Sequence, residues 1–159
     1  MGLARVEIRH QTVLKDYKDH PDGPARWSRE IKAYTELSWA TPKLLWHNEY
    51  WLETERLTPV LDLGPDASRK YREPFRALLQ RLHDEGWNHG DVDLVNVVIH
   101  PVRGPLLIDW EGAGPAVGAV SYDLYGARAA GVEPRWEGKG PDGVFWGSGS
   151  ATTPKNYWG

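Results

Sequence analysis

The spacing of apolar positions changes several times along the chain, and each change marks an expected element. Alternation over residues 4–8 (ARVEI) and 12–17 (TVLKDY), separated by polar Arg9 to Gln11, predicts two short strands. After Pro24 the interval lengthens. Trp27, Ile31, Tyr34 and Leu37 recur at helical spacing, and Thr41-Pro42 closes the region, because proline disfavours a helical residue before it. Residues 43–57 predict two more strands around a turn at His47 to Glu49. Residues 57–68 (LTPVLDLGPDAS) read as a linker with two prolines and a glycine. A second helix follows, with Tyr71, Phe75, Leu78, Leu79 and Leu82 on its apolar face and a stop at Gly86. NVVIH and PLLID, split by the turn signal PVRGP, predict a hairpin. SYDLYGARAAG begins another helix at Ser121.

Composition narrows the classes. The chain of 159 residues fits one domain with a single core. Nineteen basic against 22 acidic residues give a net charge of −3, which argues against a dedicated nucleic-acid binder. There is no cysteine, so no disulfide scaffold exists and a reducing compartment is expected. No apolar run of membrane-spanning length and no signal peptide is visible, so a cytoplasmic protein without a membrane partner is expected. The stretch from Gly131 to Gly159 has a flexible composition, yet it carries Trp136, Phe145, Trp146, Tyr157 and Trp158. Such aromatics suit docking onto the chain's own body, a second copy or another protein, while a disordered terminus reads nearly as well.

The chemistry concentrates between Leu82 and Trp110. His89, Asp91 and Asn96 form H-x-D-x-x-x-x-N, and Asp109 follows at the end of an apolar run. Phosphoryl transfer needs charge neutralised and an alcohol aligned. Asp91 suits the acceptance of a hydroxyl proton. Asn96 and Asp109 offer hard oxygen ligands to a magnesium ion that keeps its waters and its nucleotide phosphates. The hairpin would bring both to one end. Taken singly, His89 reads equally as a satisfied loop histidine, Asp91 as a cap and Asp109 as a strand-end acid.

Together these residues resemble the catalytic core of the protein-kinase-like superfamily. HGD in place of HRD, with LLIDWEGAG and SYDLYG downstream, is similar to the small atypical kinases and the aminoglycoside and choline phosphotransferases. The resemblance implies an α+β, two-lobed fold in minimal form. A small nucleotide-binding lobe over 1–57 would hold an antiparallel sheet and one helix, a reduced catalytic lobe would cover 58–130, and 131–159 would be a tail. It implies ATP and Mg2+ as cofactors, with Lys15 on the phosphates, Glu30 paired to Lys15, and Glu55 to Leu57 as a hinge offering backbone to adenine. Asp91 would be catalytic, Asn96 and Asp109 would hold metal, and His89 and Asp123 would support the loop. The acceptor would be a hydroxyl of a small molecule or of a protein Ser/Thr.

Three departures qualify this. Only Gly2 precedes Lys15, so a glycine-rich phosphate loop is missing, D-W-E replaces D-F-G, and no A-P-E segment occurs. An alternative therefore stands beside the kinase, namely a catalytically weak or inactive kinase-like binding module that uses the aromatic tail as its contact surface. Zinc held by His83, His89 and His100 is disfavoured by the lack of cysteine and of a helical H-x-x-x-H pair.

Overall fold

A computed structural model describes residues 4–116. Asp123, the helix expected from Ser121 and the tail 131–159 lie outside the described residues. The elements run β1 (Arg5–Ile8), β2 (Thr12–Asp16), α1 (Gly23–Glu36), β3 (Leu44–Asn48), β4 (Trp51–Glu55), β5 (Thr58–Pro59), α2 (Pro65–Asp84), β6 (Trp87–Asn88), β7 (Val97–His100), β8 (Gly104–Leu107) and β9 (Gly114–Pro115). Two 3-10 turns occupy Val60–Leu63 and Leu94–Asn96. The result is a mixed α/β structure with antiparallel sheets and two helices: a four-stranded sheet in the order β1-β2-β4-β3, a three-stranded one in the order β5-β7-β8, and the pair β6-β9.

Helix α1 packs on the first sheet through the stripe the spacing predicts. Tyr34 and Leu37 are buried, whereas Trp27 and Ile31 are only partly so. Trp27 instead turns its indole N–H onto the Trp51 carbonyl at 3.0 Å. The helix starts at Gly23, where an added Cβ would stand 2.3 Å from the Tyr17 carbonyl, so a bare backbone is needed there. Strand β2 ends at Asp16, and Tyr17 leaves the sheet to become fully buried. The turn expected at His47 to Glu49 falls instead at Glu49 and Tyr50. His47 and Asn48 remain in β3 because they pair with Leu52 and Trp51.

The expected linker is largely structured. Thr58–Pro59 pairs with Ile99 and Val98, Val60 is buried in its 3-10 turn, and α2 begins at Pro65 rather than after Ser68. Proline at that first position loses no hydrogen bond, which explains the early start. Phe75, Leu78, Leu79 and Leu82 bury the face of α2, and Gly86 at φ 88° ends it. These side chains join Tyr17, Leu37, Leu52, Leu107 and Trp110 in one apolar core, so the first sheet and the hairpin β7–β8 share a common support.

Candidate functional site

Hairpin β7–β8 brings the expected residues to one end. Val97 pairs with Leu107, and the Ile108 N–H donates to the Asn96 carbonyl at 2.9 Å, so the chain arrives at Asn96 and leaves toward Asp109 side by side. Strand β8 stops at Leu107, short of the expected PLLID. Asp109 lies beyond it at φ 66°, a left-handed conformation that aspartate tolerates better than most residues.

The lysine of β2 meets this end from the other side. Lys15 Nζ stands 3.0 Å from Glu30 Oε2 and 3.0 Å from Asp109 Oδ1, with Glu111 Oε2 at 3.7 Å. Burial alone would lower the ammonium pKa, but the charges of Glu30, Asp109 and Glu111 outweigh it and the net shift is upward. Glu30 is fully buried on α1 and is satisfied at both oxygens: Oε1 accepts the Trp110 N–H at 2.9 Å, while Oε2 accepts from Lys15 and from the Tyr17 hydroxyl at 2.9 Å. The cost of a carboxylate in that stripe is met by the Trp110 N–H and the Lys15 ammonium, with the Tyr17 hydroxyl shared between Glu30 and Glu111.

The loop from His89 to Asn96 is held by its own side chains. The fully buried His89 donates from Nε2 to the Ile108 carbonyl at 2.9 Å and accepts the Asp91 N–H at Nδ1 at 3.1 Å, with its ring edge on Trp110. Asp93 caps the 3-10 turn by accepting from the Val95 N–H. Asn96 donates its amide to the Asp91 carbonyl at 3.0 Å and to Asp91 Oδ2 at 3.3 Å. Burial, and then the charge of Asp109, raise the Asp91 pKa above the ordinary carboxyl value; His89 and the Asn96 bond oppose them only in part.

Gly90 explains HGD. Its φ is 90°, and an added Cβ would lie 2.6 Å from the Gly112 carbonyl, so an arginine there would collide with the segment after Asp109.

Lys15, Glu30, Asn96, Asp109 and Glu111 line one cleft of about 410 Å³, whose apolar walls include Val13, Leu57, Val98 and Ile108. Val13 and Lys15 are two apart on β2 and so face it together. Glu55 and Leu57 lie at its rim. The Glu55 and Arg56 amides already serve the Lys43 and Gln11 carbonyls, and the Glu55 carboxylate turns to the Lys43 N–H and to Arg103.

Several participants carried no expectation. Glu111 receives Arg26 Nη1 at 2.9 Å and the Tyr17 hydroxyl at 2.7 Å. Signals for these existed: Tyr17 is two residues from Lys15, and Arg26 is four from Glu30 on one helix face. Arg103 had none. From the hairpin turn it donates to the Ser38 and Thr41 carbonyls and to Glu55, which fastens the hairpin to the rim of the cleft.

Asn96 and Asp109 are hard oxygen donors at one cleft, a set that fits a small divalent cation sharing its shell with phosphates and water. Among the described residues no three His, Cys, Asp or Glu side chains gather as a metal site, and the ring nitrogens of His89 are engaged by the Ile108 carbonyl and the Asp91 N–H. Among the described residues, too, no helix is long and apolar enough to cross a membrane.

No family model and no curated protein matches the sequence. Among solved structures, the chain is similar to monomeric WbdD, at 21% identity and a TM-score of 0.51, over 70% of this chain and 33% of that one. It is likewise similar to the bifunctional kinase-methyltransferase WbdD, at 21% identity and a TM-score of 0.54, over 78% of this chain and 32% of that one. The likeness is one of fold, and the chain spans about a third of the length of these structures.

Proposed function

We infer that the cleft is a phosphotransfer site that moves the γ-phosphoryl group of ATP to a hydroxyl, with Mg2+ between protein and phosphates. The observation that carries this reading is the convergence of Lys15, Glu30 and Asp109 at 3.0 Å contacts beside the hydrogen-bonded pair Asp91–Asn96. The likeness of fold to part of the bifunctional kinase-methyltransferase WbdD supports it.

In this reading the apolar walls around Val13, Leu57, Val98 and Ile108 take the base, and Lys15, oriented by Glu30, takes the phosphates. Asn96 and Asp109 hold the cation, which supplies charge neutralisation for the transferred group when bound. Asp91 accepts the acceptor's hydroxyl proton. Its raised pKa makes it a better base than an ordinary carboxylate, and the Asn96 amide fixes its direction. His89 supports the loop. The acceptor is a small alcohol, as HGD suggests, or a protein Ser/Thr.

A second reading is a kinase-like binding module that does not turn over. One observation favours it: Lys15 is already held at 3.0 Å by both Glu30 and Asp109, so its ammonium has partners without a nucleotide. Transfer from γ-labelled ATP with Mg2+, run beside nucleotide-induced thermal shift, separates the two. The phosphotransferase predicts turnover by the wild type, loss of the metal-dependent shift in Asp109→Ala, and retained binding with roughly 10²- to 10⁴-fold slower turnover in Asp91→Ala. Binding without turnover in every variant and acceptor tried would leave the module.

A further inference from the structure

Tyr17 stands where no conventional account of the cleft requires a phenol. It is fully buried, and its hydroxyl lies 2.9 Å from Glu30 Oε2 and 2.7 Å from Glu111 Oε2. Those two oxygens are the same ones that face Lys15 Nζ, at 3.0 and 3.7 Å. Ammonium and phenol therefore sit on opposite sides of a four-cornered ring whose other corners are carboxylate oxygens from α1 and from the segment after β8. The ammonium also lies 5.2 Å from the centre of the phenol ring. A phenol has one proton to give, and here it stands between two anions.

The geometry points to Tyr17 as a positioning residue for phosphate binding: its one proton goes to Glu30 or to Glu111, so that Lys15 has one carboxylate fewer to hold and is free to turn to a nucleotide. This rests on the phosphotransfer reading. Without the hydroxyl, Lys15 is the one donor left between two close carboxylates, since Arg26 reaches only the far oxygen of Glu111. The ammonium is then drawn to their midpoint and away from Asp109 and from an incoming phosphate. With the hydroxyl, one of the two carboxylates keeps a neutral donor when Lys15 turns. Burial, followed by the charge of Glu30, pushes the phenol pKa far above its ordinary value, so the proton stays in place.

A double-mutant cycle on Mg-ATP affinity tests the role. Tyr17→Phe keeps the ring and removes only the hydroxyl, and is expected to weaken binding about five- to tenfold, the worth of roughly one hydrogen bond. In a Glu111→Gln background the second anion is gone and Lys15 is no longer drawn between two carboxylates, so adding Tyr17→Phe is expected to change affinity less than twofold. A packing role for the ring would give no such cancellation. Equal affinity of wild type and Tyr17→Phe, or an undiminished loss in the Glu111→Gln background, overturns the role and leaves phosphotransfer standing. Wild-type protein that binds no Mg-ATP overturns phosphotransfer itself, and the role falls with it.

Discussion

Glu30 and Trp110, eighty residues apart, are joined by a buried 2.9 Å bond from the Trp110 N–H to Glu30 Oε1. Through it the helix that holds Lys15 also fixes the backbone that carries Asp109. Glu30→Ala would leave the largely buried Lys15 short of one of its two anions at 3.0 Å and the Trp110 amide without an acceptor. Breaking one partner of such a pair costs about 3–5 kcal/mol. Glu30→Gln keeps the amide's acceptor and is expected to lose clearly less. Urea unfolding of the two variants beside wild type gives the ranking directly, and equal losses would mean that the Trp110 bond contributes nothing.

The raised pKa of Asp91 sets a pH dependence of known sign. A base must be ionised to work, so the acid limb of kcat/KM is expected above pH 3.8, the ordinary value for this carboxyl. The sign for stability is opposite. A carboxyl whose folded pKa lies above its unfolded one favours the fold below the unfolded value and loses that contribution as pH rises through the folded value. Asp91→Asn is therefore expected to melt higher than wild type at pH 7 while losing turnover. A lower melting temperature for Asp91→Asn would contradict this.

Gly90 allows no side chain. Gly90→Ala adds a left-handed penalty of about 1–2 kcal/mol and a 2.6 Å approach to the Gly112 carbonyl. The loop must shift to relieve it, and His89 and Asp91 shift with it. Circular dichroism melts and transfer assays should both fall for Gly90→Ala. An active variant of wild-type stability would show that the loop yields easily.

Arg103 holds the rim of the cleft from a distance. Arg103→Ala strips the Ser38 and Thr41 carbonyls and the Glu55 carboxylate of a shared donor, at a cost of about 1–3 kcal/mol. Faster hydrogen exchange at the Glu55 and Arg56 amides is expected, with a weaker nucleotide-induced shift. Unchanged exchange there would mean that the β-sheet alone fixes the rim.

Periodicity made the four-stranded sheet, both helices and the hairpin legible, because each buries a regular face. The pairing of Lys15 with Glu30 was legible through the family resemblance, and its physical cause is that a carboxylate buried on α1 needs a cation nearby. What escaped has a different origin. Thr58–Pro59 and Gly114–Pro115 pair over only two residues each, too few for alternation to register. Tyr50 takes a left-handed turn that its residue type does not announce, and this displaced the expected turn. Arg103 and Glu111 find partners at least 48 residues away, and a charged side chain carries no mark of a distant partner until the chain is folded. Gly90 looked like a family signature, and only the carbonyl of Gly112 supplies its cause.

The thirteen-residue interval from Asn96 to Asp109 is set by one ladder, four residues up and four down around a three-residue bend, with Ile108 and Asp109 itself completing the count. Lengthening both arms by the same amount would carry the bend outward and leave the two oxygens as neighbours. Losing one residue from a single arm would invert which side chains face inward and pull the oxygens out of step. Distant kin should accordingly be sought by matched arms, with the count between amide and acid free to vary.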